Sequence, residues 1–252
     1  MDNYLIDNYK DIYELCIKCT GIYESELKSI KNAEGKNEDE IIFKTISLQY
    51  CLISKQDLYS IFTLYQNNQF LTPQILLRNI LEHFITYIFI EQDPIKRAKQ
   101  YFLSGIKRKK GILNWLIEKK ILDVTDNYKD KINEYQKQYI ENKIDIEKWP
   151  KELEERARCT GMLELYLIYR YLSLLSHPDS NNIDFFFEEN NGVGIFDNFN
   201  KDNTVMTLFL ALYMTNYLFA GLDENYSLNM ENTHRKLDNE IKQLLTTRCS
   251  QR

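Results

Sequence analysis

Only 8 glycines and 4 prolines punctuate this 252-residue chain, and that scarcity constrains its fold more than any other feature. Sandwiches and barrels of short strands need a turn-former every few residues, and nothing here supplies them at that rate. Long helices remain, because a helix uses such residues mainly at its ends. The chain is therefore expected to be all-α, a multi-helix bundle making a single helical domain over residues 1–252. Its length allows a sizeable core, and 18 Tyr with 13 Phe give that core abundant aromatic surface.

The few punctuating residues divide the chain. A first helix is expected from about residue 4 to 31, and Asn37 followed by Glu40 reads as a capping box opening the next, to about residue 67. Thr72-Pro73 offers a cap and a first-turn proline to the apolar segment QILLRNILEHFITYIFIEQ, and Asp93-Pro94 repeats the device for a helix carrying a basic stretch. Shorter helices are expected at about 111–121, 126–142 and 150–158. Thr160-Gly161 then precedes MLELYLIYRYLSLLSH, which Pro178 stops, so His177 falls at a helix end. Residues 184–199, DFFFEENNGVGIFDNF, read as a short β-hairpin or structured loop around Asn190-Asn191-Gly192. Two helices, about 202–221 and 228–247, close the chain.

Several classes lose support at once. The opening MDNYLIDNYKDIYELC is acidic and amphipathic, unlike a secretory signal. No apolar run is judged to approach the roughly 18–20 residues of a membrane span, so a cytoplasmic address without a membrane partner is expected. Five cysteines make an odd set, and the CxxC of Cys16 and Cys19 lies inside an amphipathic pattern with no second ligand pair. Those thiols read as buried helix residues, with neither metal nor cofactor expected. There is no GxSxG, Walker-type loop, GxGxxG or HExxH. A net charge of -5 gives no global attraction to nucleic acid. Locally, Lys96, Arg97, Lys99, Lys107, Arg108, Lys109 and Lys110 occur within residues 94–110 without one acidic residue. That stretch is either a solvated helix face or, through Lys107 to Lys110, an RNA-binding track.

Two helices are expected to carry the chemistry. At about 100° per residue, Tyr166, Arg170, Ser173 and His177 share a stripe about 60° wide. A fixed cation beside a group that titrates near neutrality suits phosphate chemistry. On the apolar helix, Arg78 and Glu82 stand one turn apart and are expected to pair or to wall a pocket. His83 is offset from them, and His234, in NTHRKLDNE, reads as a surface residue. The duller account makes Arg78 and Arg170 structural partners of Glu82 and His177 a dipole-stabilised helix end.

The pattern LLRNILEHFITYIFI with LYLIYRYLSLLSHPDS resembles a family of uncharacterised bacterial helical proteins. That family combines R-x-x-x-E with Y-R-x-x-S-x-x-x-H-P, which maps to Arg78 and Glu82, and to Tyr169, Arg170, Ser173 and His177. The spacing also resembles the HEPN superfamily, helical bundles whose Arg and His, four to six residues apart, form a metal-independent RNase site across a dimer. Arg78 to His83 fits the short spacing and Arg170 to His177 the long one. The resemblance implies His177 as base toward the ribose 2′-hydroxyl, Arg170 on the scissile phosphate, a homodimer, and an RNA-targeting toxin with an antitoxin or defence-system partner. A non-catalytic helical interaction module, or a binder of a small anionic ligand or nucleotide, remains the alternative.

Overall fold

The central element is a helix buried on nearly every side. The computed structural model describes residues 9–30, 37–119, 126–176 and 203–249, and among these the regular structure is helical throughout: α1 Lys10–Ser29, α2 Glu38–Gln66, α3 Leu71–Glu91, α4 Pro94–Glu118, α5 Asp126–Glu141, α6 Lys143–Lys148, α7 Leu153–Thr160, α8 Leu163–Ser176, α9 Thr204–Tyr226 and α10 Glu231–Cys249. The all-α expectation holds. The expected hairpin at 184–199 and the helix-end residue His177 lie outside the described residues.

Helix α3 is apolar around most of its circumference and is packed by α2, α8, α9 and α7. Such a helix has no solvent face to spend on charge, which makes Arg78 and Glu82 conspicuous. The main core takes Leu58 and Ile61 from α2, Ile80 and Leu81 from α3, Leu212 and Phe219 from α9, and residues of α1, α8 and α10. A satellite core of Leu103, Ile106 and Ile146 carries α5 and α6 on α4. Cys16, Cys19 and Cys51 are buried, free thiols, and burial pushes Cys19 up to about 12, so they are inert packing residues.

Local signals fare unevenly. Asn37 caps α2 by accepting from the Glu40 backbone N–H at 2.9 Å, and Gly161, at φ 72°, ends α7 in the left-handed conformation that glycine tolerates. Thr72 is not a cap: α3 begins at Leu71 after Phe70, which puts Pro73 in the third helical position. Its missing N–H costs nothing there, because the first N–H groups of a helix lack partners anyway. The expected break near residue 111 does not occur, and α4 runs through Gly105 and Gly111 to Glu118. A glycine costs a helix only about 1 kcal/mol, and packing against α5 and α6 outweighs it. The view that no apolar run reaches membrane-spanning length also needs correction. Helix α9 is long and apolar enough to cross a membrane, and most of it is buried inside the bundle.

Candidate functional site

Four of the residues singled out from sequence meet between α3 and α8. Arg78 donates from Nε to Ser173 Oγ at 2.8 Å and from Nη2 to the Tyr169 phenol at 2.8 Å. Its guanidinium also lies 4.7 Å from the centroid of the Tyr169 ring. The Tyr169 hydroxyl donates in turn toward Glu82 Oε2 at 3.5 Å, while Ser173 donates to the Tyr169 carbonyl at 2.7 Å. The expected direct pairing of Arg78 with Glu82 is therefore corrected: the guanidinium is turned toward α8, and the Tyr169 phenol relays between cation and carboxylate. Half-buried charges so arranged keep their partners without both being fully desolvated.

Arg170 stands apart from this network. Its side chain is exposed on the outer side of α8, and among the described residues its hydrogen bond is to the Tyr166 hydroxyl, at 3.5 Å. Tyr166 stacks on Tyr169, with ring centroids 6.0 Å apart, so the network braces the phenol beside Arg170. The stripe seen in the sequence thus splits: Ser173 turns inward to Arg78, and Arg170 turns outward. His83, the partner of Arg78 in the short spacing, is driven toward its neutral form by burial. Its ring lies 5.3 Å from that of Tyr50, and its Nδ1 has no hydrogen-bond partner among the described residues. Arg78 is thus engaged on α8, while His83 lies against Tyr50 of α2.

The basic positions lie on α4. Lys107, Arg108 and Lys109 are exposed. Lys107 and Lys110 flank the Tyr139 ring at 6.0 and 5.7 Å, and Lys110 also donates to the Gln136 side chain. Arg97 belongs to the fold, donating at 2.6 Å to the Phe89 carbonyl and to Gln92 Oε1 at the α3–α4 turn.

Two polar clusters escaped the sequence reading. The first surrounds Arg156 of α7, only 8% exposed, whose guanidinium lies 5.5 Å from the Trp149 ring centroid. Burial lowers its pKa, Arg108 adds to the lowering, and the neighbouring Tyr50, Glu82 and Tyr101 oppose it. Tyr50 is buried too, and burial pushes its phenol well above the usual range. The sequence signal was the i, i+3, i+4 face Leu153, Arg156, Ala157, all buried. The second cluster corrects the surface reading of His234, which is 3% exposed. Its Nδ1 lies 3.0 Å from Asn216 Oδ1 and its Nε2 3.2 Å from Glu26 Oε1. Asn216 donates back to the His234 carbonyl at 3.1 Å, which fixes the amide's orientation and leaves the imidazole facing two acceptors. His234 shares its helical face with Leu237 and Ile241, both buried, a periodicity present in the sequence but outweighed by the charged residues around it.

A family model matches residues 48–193, more than half of the chain. The chain belongs to the DUF5677 family. That family is described as one of unknown function. The matched span includes the whole of α3 and α8, and with them Arg78, Glu82, Tyr169, Arg170 and Ser173, together with His177. No curated protein and no solved structure matches the chain.

Proposed function

We propose that this DUF5677 protein is a HEPN-like, metal-independent endoribonuclease, an RNA-targeting toxin of phage defence or stress response. The observation that carries the reading is the division between its two motif arginines. Arg78 spends its donors inside the bundle, holding α8 to α3, whereas Arg170 keeps an exposed guanidinium on that same braced helix. A cation held on a rigid element and open to solvent is what recognition of a phosphodiester needs. In the proposed reaction His177 takes the 2′-hydroxyl proton as that oxygen attacks phosphorus. Arg170 stabilises the charge growing on the phosphoryl oxygens, and as the P–O5′ bond breaks the 5′-oxygen takes a proton from water, leaving a 2′,3′-cyclic phosphate.

A symmetric dimer completes the reading. Leu163 and Leu167 are 40% and 65% exposed and lie within about 60° of Arg170 around the α8 axis. An apolar strip beside the cation suits an isologous contact that would set two Arg170 residues side by side. Lys107 to Lys110 on α4 would then attract the strand, and an antitoxin or defence-system partner would restrain the activity.

The interaction module, or small-anion binder, has one specific point in its favour: Arg78, Glu82, Tyr169 and Ser173 already satisfy one another, as structural groups do. Cleavage of labelled total RNA in EDTA by wild type, Arg170→Ala and His177→Ala separates the readings, with circular dichroism confirming folding. The ribonuclease reading expects cleavage by wild type and its loss in both folded variants. A folded wild type that leaves RNA intact, alone and with cell extract supplied as a source of activator, would move the assignment to the module.

A further inference from the structure

We propose that Arg156 anchors a phosphoryl-binding site on the side of the bundle formed by α4, α7 and Trp149, separate from Arg170. The inference stands on Arg156 itself and not on the ribonuclease reading.

Buried guanidinium groups are normally held by carboxylates or carbonyls, and this one is not. Among the described residues its Nε is buried without a hydrogen-bond partner. Glu82 is near enough to act on it electrostatically, yet that carboxylate is engaged by Tyr169 on the Arg78 side. The surroundings carry charge of both signs, Glu82 and Arg108. Arg108 acts on Arg156 from α4, in the same run as Lys107 and Lys109. Trp149 supplies a wall fixed in place by edge contacts to Tyr101 and Phe89 at 5.2 and 5.5 Å.

A guanidinium with a stranded Nε, a second arginine and a rigid aromatic wall match an oxyanion that accepts two N–H bonds at once. A phosphoryl group has that geometry and charge. Binding would satisfy the stranded Nε as the guanidinium turns that edge outward, and the movement would change the contact with Trp149. The phosphoryl group could belong to free phosphate or to an RNA backbone, and the two sources can be told apart.

The chain has 2 tryptophans, so Trp115→Phe leaves Trp149 as the only indole reporter. In a full-length chain that also carries His177→Ala to prevent cleavage, Trp149 fluorescence would be titrated with inorganic phosphate and, separately, with a short RNA oligonucleotide. Sodium chloride at matched ionic strength is the control. The expected result is a saturable change, with affinity falling at least about tenfold in Arg156→Gln. Exposed Arg108→Gln, which leaves the core untouched, should weaken binding roughly threefold, the size of one partly screened charge. Saturation by phosphate identifies a site for the free anion or a nucleotide, and saturation by RNA alone identifies a contact to the strand. No saturable change with either, or equal affinity in wild type, Arg108→Gln and folded Arg156→Gln, overturns the proposal. Phosphate binding in a protein that cuts no RNA would leave this site standing and remove only the ribonuclease reading.

Discussion

Replacing Arg78 with Met tests the contrast between the two motif arginines through stability alone. The substitution keeps most of the side-chain volume and removes the donors to Ser173 and Tyr169, each at 2.8 Å. Hydrogen bonds to a charged group contribute about 1.5 kcal/mol each at the low end of their range, the end suited to a half-buried guanidinium. The cation 4.7 Å from the Tyr169 ring centroid adds about 0.5 kcal/mol. Packing of the methionine stem returns about 1 kcal/mol. The net loss should be about 2 to 3 kcal/mol, or a fall in Tm of roughly 4 to 10 °C for a chain of this size. Exposed Arg170→Met should leave the unfolding midpoint close to that of wild type. The assay is urea unfolding followed by circular dichroism on Arg78→Met, Tyr169→Phe and the double variant. Residues that touch should show a coupling of about 1 kcal/mol. Additive losses, or an Arg170→Met loss as large as that of Arg78→Met, would refute the assignment of Arg78 to the frame and Arg170 to the surface.

Two further outcomes follow from the buried polar groups. His234→Ala should cost about 3 kcal/mol, because it strands the Glu26 carboxylate, which is 2% exposed. The double variant Glu26→Met, His234→Leu should recover much of that loss, and calorimetric Tm values showing no recovery would contradict the pairing. Asp57 is raised by burial from 3.8 to about 6, and its Oδ2 lacks a hydrogen-bond partner among the described residues. The folded protein therefore holds that proton more tightly than the unfolded chain does. Stability is lost as pH rises through roughly 4 to 6, and the penalty is complete above that window. Asp57→Asn should gain about 1 kcal/mol at pH 8, discounted for partial exposure, and nothing at pH 3.5. Urea midpoints shifted equally at both pH values would show that another group is responsible.

Sequence by itself determined the fold class, because few glycines and prolines leave long helices as the economical way to satisfy backbone hydrogen bonds. It also marked the helix that carries charge into the bundle: an arginine and a glutamate on an otherwise apolar segment are anomalous wherever that segment packs. Helix ends were legible where a side chain makes the cap, as at Asn37. They were not where prolines or glycines fit inside the element, as at Pro73 and Gly111, since those residues cost a helix little at such positions. Tertiary structure alone decided how the motif divides. Spacing around α8 put Arg170 and Ser173 on one stripe, but only the position of α3 beside it turns Ser173 to Arg78 and leaves Arg170 in solvent. The surroundings of Arg156 and the partners of His234 were hidden for the same reason. Each is a polar residue on a buried face, and its environment comes from helices distant in sequence, Glu26 for His234 and Tyr50 and Glu82 for Arg156. Periodicity can say that such a face turns inward, but which groups meet it is fixed by the packing of the whole bundle.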